Sequence, residues 1–286
     1  MELTALIARM SCPSCGSGEL APGADAASCS NCGHRLPVHG NNVNASGRTK
    51  LSADWEEMQA GSVERYQDEH YEEDETFARI FGGFIAVTIL PSDRVLDVGC
   101  GLFPSLPAYV DGLKIGDYVG LEPLTTPVER RYSCVTGAVA EDLPFKDASF
   151  DAHILATSLD HIMDVDRAIS ELRRVLTQGG RFYFWVGLAD PEIIARAKTF
   201  HSIFYGQRGL KRVARIAAAY AEYGYFIYRM WSRRRKLELG IALDHAHCRY
   251  YTQKSLFADL EKWNLEVRRA LLVPGSNGIL IEAVPR

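Results

Sequence analysis

Short apolar segments alternate with amphipathic ones between residues 94 and 186. Four of them are predicted as buried strands, namely RVLDV (94–98), DYVGLE (117–122), SFDAHILAT (149–157) and RFYFWV (181–186). Apolar residues recur at helical spacing in DRAISELRRVL (166–176), and PSLPAYV (104–110) is predicted to begin another helix. Gly179 and Gly180 are expected to end the helix at 166–176. Strands that alternate with helices predict a parallel sheet covered by helices on both faces.

Two further apolar segments lie near the end of the chain. LEVRRALLV (265–273) and NGILIEAV (277–284) are predicted as the last two strands, with Pro274 and Gly275 opening the turn between them. The 286 residues allow one large domain, or a large domain and a small one. A composition of 47% apolar and 24% charged residues is that of an ordinary soluble globular protein.

Candidate ligand-binding residues lie at the ends of the first two predicted strands. Asp97 lies near the end of the first strand, Gly99 and Gly101 follow at once, and Glu122 ends the second strand. Ligands of parallel sheets bind beyond the carboxyl ends of the strands, where glycines let a ligand approach the backbone. The carboxylate of Glu122 can accept two hydrogen bonds from a ribose diol. Pro104 replaces the last glycine of G-x-G-x-x-G, which disfavours the pyrophosphate cradle of nicotinamide enzymes.

Four cysteines lie in the first 32 residues as two pairs with the same spacing. Cys12 and Cys15 form one pair, Cys29 and Cys32 form the other, and a glycine follows each pair. Two thiolates at this spacing bind one ion from a tight turn, and two such turns complete the tetrahedral sulfur set that suits Zn²⁺. Four thiolate ligands leave no open position, so the zinc is predicted to be structural. A disulfide pair and a metal-free ribbon are the alternatives.

Composition divides the chain into three parts. Residues 1–40 are the predicted zinc ribbon, residues 41–53 are rich in Gly, Asn and Ser and predict a linker, and residues 54–286 form the large domain. Residues 190–245 are much longer than a usual connection and are predicted as a helical insertion in the large domain. Neither a signal peptide nor an apolar stretch long enough to span a membrane is recognisable, so we expect a cytoplasmic protein.

The net charge of −4 does not suggest a nucleic-acid binder, but the charges are unevenly placed. Residues 54–75 hold ten acids and one base, and predict amphipathic helices that form either a solvated surface or a cap over a ligand. Residues 196–236 hold eleven bases and one acid with interleaved aromatics. Three interpretations of this basic segment stay open: a lid, a site for an anionic acceptor or RNA, and a membrane-surface helix at 216–236. The two segments can also pair, within one chain or across a homodimer.

The order and spacing of four segments resemble the class I S-adenosylmethionine-dependent methyltransferases, of the methyltransferase type 11 kind. These segments are VLDVGCG, GLEP, EDLPFKDASFDAHI and SLDHIMDVDRAISELRRVLTQGGRFYFWV. The resemblance covers residues 76–190 closely and the chain end loosely, and CGHRLPVHG resembles ribbons found in front of some methyltransferases. It implies an α/β, Rossmann-like, seven-stranded sheet with a helical insertion, preceded by the small zinc ribbon.

The resemblance also implies S-adenosyl-L-methionine as the cofactor and a set of residues that bind it. The glycine loop corresponds to the methionine part of the cofactor, the acid that ends the second strand to the ribose, and an acid–leucine pair to the adenine. In this sequence the residues are Asp97, Gly99, Gly101, Glu122, Asp142 and Leu143. Many family members carry a third glycine where this chain has Phe103 or Pro104, so the loop is expected to be more rigid here.

Two histidines are candidates for a general base near the acceptor. His161 lies in the segment that follows the third strand, and His247 lies in a segment similar to the H-x-R-x-Y-T of related enzymes. The pKa of a histidine suits proton transfer near neutral pH. A structural or surface role is the alternative for both residues.

These features predict a methyltransferase that transfers a methyl group to an O, N or C atom of a small-molecule or glycolipid-precursor acceptor. An RNA base methyltransferase that uses the zinc ribbon to hold RNA is one alternative. A non-catalytic binding module on the same fold is the other. Failure to bind the cofactor would favour the binding module, and a steeply salt-dependent RNA affinity would favour the RNA enzyme.

Overall fold

The computed structural model describes residues 3–16, 18–46, 75–190, 192–194 and 248–286, with isolated positions between Gly209 and Ser232. The N-terminal part contains one helix and four short strands: α1 (Leu3–Arg9), β1 (Leu20–Ala21), β2 (Ala26–Cys29), β3 (Arg35–His39) and β4 (Asn42–Asn44). The large part contains α2 (Glu75–Ile85), β5 (Arg94–Val98), β6 (Asp117–Glu122), β7 (Ser133–Thr136), β8 (Phe150–Ala156), a 3₁₀ turn (Leu159–His161), α3 (Val165–Val175), β9 (Leu176–Gly187), α4 (Gln253–Lys262), β10 (Leu265–Leu272) and β11 (Gly278–Pro285).

The strands form one mixed sheet of eleven strands. Their spatial order is β1-β2-β3-β4-β7-β6-β5-β8-β9-β11-β10. The strands from β4 to β9 in this order pair in parallel, whereas β11 is antiparallel to both β9 and β10. The central strands are buried along most of their length, as expected for a parallel sheet covered on both faces. The predicted Rossmann-like α/β fold is confirmed, including the antiparallel strand pair near the chain end.

Helices cover the two faces of the sheet through their apolar stripes. Asp164 caps α3 by accepting a hydrogen bond from the N–H of Arg167, and α3 buries an apolar stripe that includes Ile169 and Leu172. Phe81 of α2 lies in the apolar core on the other face. Leu6 of α1 belongs to the same core as α3. The N-terminal part and the large part therefore share one hydrophobic core.

The predicted helix at 104–110 is wrong. The chain forms a turn here, in which the N–H groups of Val110 and Asp111 both donate to the carbonyl of Pro107. Pro104 and Pro107 have no N–H to donate, and a proline disfavours helical geometry in the residue before it. The loop after β5 is consequently irregular, and it stays beside the strand ends.

The predicted helix end at Gly179 and Gly180 is also wrong. The helix ends at Val175, and the two glycines lie inside β9, where the pairing with β8 changes register. Gly179 has a φ of 81°, which an L side chain rarely adopts. The glycines therefore mark an irregularity in a strand. β7, at Ser133–Thr136, was not predicted, because four buried residues carry too short a pattern to recognise.

The predicted linker at 41–53 is wrong over its first residues. Asn42–Asn44 forms β4, which pairs in parallel with β7 from Asn42↔Cys134 to Asn44↔Thr136. Polar side chains do not prevent a strand when the sheet supplies a free edge for its backbone. The strands of the N-terminal part thus continue the large sheet. The rest of the predicted linker lies outside the described residues.

Most of the acidic segment at 54–75 and of the insertion at 190–245 lies outside the described residues. The described positions from Leu210 to Ser232 are helical. Three aromatic side chains among them are more than half exposed: Tyr225 (64%), Tyr228 (62%) and Trp231 (56%). In the part of the chain that the structure describes, no helix is both long and apolar enough to cross a membrane.

Candidate functional site

The glycine loop after β5 and the acid that ends β6 meet at the carboxyl edge of the sheet. Glu122 is 4% exposed, and its two carboxylate oxygens accept hydrogen bonds from the N–H groups of Gly101 (2.8 Å) and Leu124 (3.0 Å). Burial raises the pKa of Glu122, while the Leu124 amide, the charge of Arg130 and the Gly101 amide lower it. A carboxylate has about four acceptor positions, so Glu122 retains capacity for a diol.

Both glycines of the loop are required by its geometry. Gly99 and Gly101 each have a φ of 75°. A Cβ on Gly99 would lie 2.7 Å from the Cβ of Ser158, and one on Gly101 would lie 2.9 Å from the ring of Phe103. Phe103, which stands near the position of the family's third glycine, thus closes over Gly101. The greater rigidity expected for this loop stays a prediction.

Ser158 begins the segment after the third predicted strand that the resemblance places at the site, and it faces the loop directly. It follows the end of β8, is 8% exposed, and its hydroxyl has no hydrogen-bond partner among the described residues. The preceding residue, Thr157, has a φ of 53°, which is strained for a β-branched side chain. A strained backbone and an unsatisfied buried hydroxyl at the edge of a glycine loop are both typical of a ligand site. Only the tertiary contact with Gly99 distinguishes this serine from other loop serines.

Asp97 lies below the loop and is fully buried. Its Oδ2 accepts hydrogen bonds from Tyr109 (2.6 Å) and Tyr118 (2.5 Å). Burial and the charge of Asp97 raise the pKa of Tyr118 well above its usual range, which keeps the phenol a donor. Asp97 therefore anchors two tyrosines under the glycine loop. Its predicted role beside the methionine part of the cofactor stays a prediction.

The two residues predicted on the adenine side lie in a tight turn after β7. The N–H of Asp142 donates to the carbonyl of Val139 (3.2 Å), and the buried Leu143 donates its N–H to the carboxylate of Glu171 (3.1 Å). The neighbouring acid, Glu141, is 1% exposed and accepts from the N–H groups of residues 163 and 164. Burial raises the pKa of Glu141. Glu141 therefore connects this turn to the start of α3, a role that the sequence pattern did not reveal.

His161 ends the 3₁₀ turn after β8 and is partly exposed. Its Nε2 lies 3.9 Å from a carboxylate oxygen of Asp160. The segment that begins at Cys248 lies directly against this turn, since the N–H of Cys248 donates to the carbonyl of Asp160 (2.8 Å) and its Sγ to that of His161 (3.2 Å). His247, the second predicted base, lies outside the described residues. Cys248, which follows His247 in the chain, thus contacts the turn that carries His161.

A third group of residues, at 130–132, holds the glycine loop from the side of β7. Arg130 is 3% exposed and donates from Nη2 to the carbonyl of Gly101 (2.9 Å). The N–H of Arg131 donates to the carbonyl of Pro104 (2.8 Å), and the hydroxyl of Tyr132 donates to that of Phe103 (3.1 Å). Sequence reasoning missed these contacts, because a basic–basic–aromatic run in a loop has no distinctive pattern.

The four N-terminal cysteines form one cluster. Their Sγ atoms all lie within 4.8 Å of one another, with Cys12 and Cys32 at 3.6 Å and Cys15 and Cys29 at 3.7 Å. A zinc tetrahedron with Zn–S bonds of about 2.3 Å places its sulfurs roughly 3.8 Å apart. Each cysteine pair ends in a turn whose glycine has a positive φ, 73° at Gly16 and 71° at residue 33. This donor set fits a tetrahedral thiolate-bound cation.

Comparison with known proteins gives matches to methyltransferases. The family described as "Methyltransferase domain" matches residues 96–184. The O-methyltransferase rstn1 of Aspergillus nomiae is 32% identical over 127 residues, which are 39% of this chain and 55% of that protein. The ubiquinone/menaquinone biosynthesis C-methyltransferase UbiE of Brucella canis is 33% identical over 91 residues, 32% of this chain and 33% of that protein. The matches thus span about half or less of these relatives.

A solved structure of a Pyrococcus horikoshii OT3 protein shares the fold. It superposes with a TM-score of 0.50 at 16% sequence identity, and the match covers 77% of this chain and 94% of that one. At this identity the similarity speaks for the fold alone. The family match supplies the link to chemistry, and it begins one residue before Asp97.

Proposed function

We propose that this chain transfers a methyl group from S-adenosylmethionine to a small molecule. Its residues 96–184 belong to the methyltransferase domain family within the class I S-adenosylmethionine-dependent methyltransferases. The observation that carries the proposal is the hydrogen bond from the N–H of Gly101 to the carboxylate of Glu122 at the carboxyl edge of the sheet. A buried carboxylate beside a glycine turn is suited to hold a ribose and let the rest of a nucleoside lie on the backbone.

The residues at this edge fit the cofactor in three respects. The glycine loop leaves no room for side chains at Gly99 and Gly101, the carboxylate of Glu122 has unused acceptor positions, and the hydroxyl of Ser158 is buried without a partner among the described residues. S-adenosylmethionine supplies an activated methyl group on its sulfonium when bound. The protein's own contribution is to bind and orient the cofactor and the acceptor and to exclude water from between them.

Calorimetric titration with S-adenosylhomocysteine tests the cofactor site. Glu122→Gln retains the size of the side chain and loses the charged acceptor, so we expect micromolar binding by the wild type and a loss of roughly tenfold or more in the variant. Glu282→Gln is the matched control, because Glu282 is equally buried (4%) but lies on β11 and pairs with Arg269. Absence of binding by the folded wild-type protein would overturn the proposal in favour of a binding module.

The acceptor is proposed to be a small molecule or a glycolipid precursor that is methylated on O, N or C. The net charge of −4 supports this choice over RNA. The exposed aromatic residues of the insertion, Tyr225, Tyr228 and Trp231, are suited to contact an apolar part of such an acceptor or a membrane surface. RNA binding that weakens steeply with salt would contradict the small-molecule proposal.

His161 and His247 are proposed as the groups that accept a proton from the acceptor. The support is the contact between Cys248 and the turn that carries His161. Ser158 directly precedes this turn. Single substitutions to Ala should reduce the rate of methyl transfer while leaving the affinity for S-adenosylhomocysteine unchanged. Full turnover in both variants would mean that the reaction proceeds through positioning alone.

We propose in addition that Cys12, Cys15, Cys29 and Cys32 bind one structural Zn²⁺. The support is the spacing of their sulfur atoms, 3.6 Å between Cys12 and Cys32 and 3.7 Å between Cys15 and Cys29, with all four within 4.8 Å. So short a part of the chain gains much of its folding free energy from such an ion.

A further inference from the structure

The N-terminal part of the chain touches the proposed cofactor site through a continuous series of hydrogen bonds. It begins at the turn between β3 and β4, where the side chain of Asn41 donates to the carbonyl of Arg130 (2.8 Å) and that of Asn42 donates to the carbonyl of Val128 (2.8 Å). The carbonyl of Asn41 also accepts from the N–H of Cys134 at 3.0 Å. Two asparagines therefore hold the segment between residues 128 and 134.

The next step in the series is the guanidinium of Arg130. Its Nη1 donates to the side-chain oxygen of Asn42 (3.2 Å), and its Nη2 donates to the carbonyl of Gly101 (2.9 Å). Arg130 is 3% exposed, and a charged group buried this deeply needs well-placed acceptors. Asn42 is one of these acceptors, so the loss of its side chain leaves the guanidinium without one of its bonds.

The last step reaches the rest of the glycine loop. Arg131 and Tyr132 donate to the carbonyls of Pro104 and Phe103, as described above, so three successive residues bind the loop. This loop has no helix behind it, because residues 104–110 form a turn, and it lacks the family's third glycine. Its position therefore depends on the segment beside it rather than on regular secondary structure.

A second side of the N-terminal part is anchored independently. The N–H of Ser11 donates to the carbonyl of Pro144 (3.1 Å), the N–H of Lys146 donates to the carbonyl of Arg9 (2.8 Å), and the side chain of Arg9 pairs with Asp117. The contact at Pro144 is next to Leu143 in the chain, whereas Asp117 begins β6 at the amino edge of the sheet. The turn at Asn41 and Asn42 is thus held against the large part of the chain at a defined place.

We propose that the cysteine-bearing N-terminal part is a positioning element for the cofactor loop, and that Asn42 acts through Arg130 to hold Gly101. Asn42 and Arg130 are positioning residues in this role. The inference rests on the proposed function for its ligand, but the effect on the loop itself is independent of any cofactor. Loss of Asn42 leaves the four cysteines intact, so the effect is separable from metal binding.

The test compares Asn42→Ala with Asn44→Ala in the full-length, zinc-loaded protein. Asn44 lies on the same strand, but its side chain accepts from the N–H of Ser46 and not from the segment at 128–132. We expect Asn42→Ala to raise the Kd for S-adenosylhomocysteine about tenfold, because a bond to a buried charge is lost. Amide hydrogen exchange of peptides covering 99–106 should accelerate in Asn42→Ala, and zinc content should stay at the wild-type level. Asn44→Ala should resemble the wild type in all three measurements.

The exchange measurement keeps this inference distinct from the proposed function. A wild-type protein that binds no S-adenosylhomocysteine contradicts the proposed function, whereas faster exchange at 99–106 in Asn42→Ala still supports the positioning role. Unchanged exchange and unchanged Kd in Asn42→Ala overturn it. Arg130→Lys serves as the second variant if Asn42→Ala does not fold, because lysine retains the charge but cannot bond Asn42 and Gly101 together. Its exchange at 99–106 should also accelerate, and wild-type exchange there would contradict the role.

Discussion

The backbone N–H of Gly101 donates to the carboxylate of Glu122 at 2.8 Å, which joins the loop after β5 to the end of β6. Two residues 21 positions apart in the chain thereby form one surface at the carboxyl edge of the sheet. This bond and the one from the N–H of Leu124 use two of the about four acceptor positions of the carboxylate. The remaining positions are available to the proposed ribose, so binding should depend on the protonation of Glu122.

The affinity for S-adenosylhomocysteine should fall at acidic pH. Burial raises the pKa of Glu122 above the usual value near 4.5, so the carboxylate gains its proton at a pH above that value. A protonated carboxyl accepts hydrogen bonds from a diol less well, and the Kd should increase as the pH falls through the raised pKa. Titrations from pH 8 downward through the usual value near 4.5 measure this. Glu122→Gln should bind weakly at every pH, and a wild-type Kd that rises only below that usual value would contradict the assignment.

Ser158→Ala should increase the stability of the free protein and decrease its affinity for S-adenosylhomocysteine. The hydroxyl is buried without a partner among the described residues, so its removal relieves a desolvation cost and should stabilise the free protein by about 1 kcal/mol. The same change should weaken binding of S-adenosylhomocysteine several-fold, because the ligand loses a hydrogen bond. Urea unfolding and calorimetry measure the two effects.

Ser149→Ala is the matched control for this pair of effects. Ser149 is also a buried serine, but its hydroxyl donates to the carbonyl of Lys146 at 2.7 Å. Loss of that bond should destabilise the protein by about 1 kcal/mol and leave the Kd unchanged. Destabilisation by Ser158→Ala would show that its hydroxyl has a structural partner instead of a ligand.

His153 should make the protein less stable in mild acid. It lies on β8 beneath α3, is fully buried, and its Nε2 lies 2.9 Å from the carbonyl of Leu172. Burial lowers its pKa to about 4. The unfolded chain, with a pKa near 6.5, binds the proton first, so the free energy of unfolding decreases between pH 6.5 and pH 4. The loss is about 1.4 kcal/mol per pH unit from this residue.

Urea unfolding at pH 7, 6 and 5 measures this dependence. His153→Gln lacks the titrating ring but retains a donor for the carbonyl of Leu172, so its stability should fall less steeply over the same range. Carboxyl groups that titrate in both proteins cancel in the comparison. Equal slopes in the two proteins would show that the pKa of His153 does not differ between the folded and the unfolded chain.

Metal removal should destabilise the chain and expose a defined set of thiols. Chelation should lower the midpoint of thermal unfolding by at least about 5 °C and make the four N-terminal cysteines react with Ellman's reagent. Cys100 and Cys134 should stay unreactive until unfolding, because both are buried, and their hydrogen bond and burial raise the pKa of Cys100 well above its usual range.

The matched variants are Cys32→Ser and Cys248→Ser. Cys32 is the exposed member of the cluster, so its loss removes a ligand with little change in packing, and zinc content should fall well below one per chain. Cys248 lies outside the cluster, and its variant should retain the metal. Full zinc content in Cys32→Ser would contradict the four-thiolate site.

The positions of the site residues followed from the sequence because of how parallel sheets are built. An acid and two glycines directly after a buried strand have to lie at the carboxyl edge, and the next strand has to end beside it. Glu122, Gly99 and Gly101 were therefore predictable from local pattern alone. Cysteine spacing was equally informative, because each pair closes its own turn. The family match to residues 96–184 confirms the class of domain that these patterns predicted.

Other features depended on contacts between segments far apart in the chain. The sequence determined the strand–helix alternation, the glycine loop, the acid that follows it and the paired cysteines, since each is a local pattern of burial or turn geometry. Only the tertiary structure decided that Asn42 extends the sheet, that Arg130 is buried between Asn42 and Gly101, and that Ser158 faces Gly99. The physical reason is that the sequence does not show whether a polar residue in a loop stays in water or is buried. Only folding removes its water and gives it a hydrogen-bond partner.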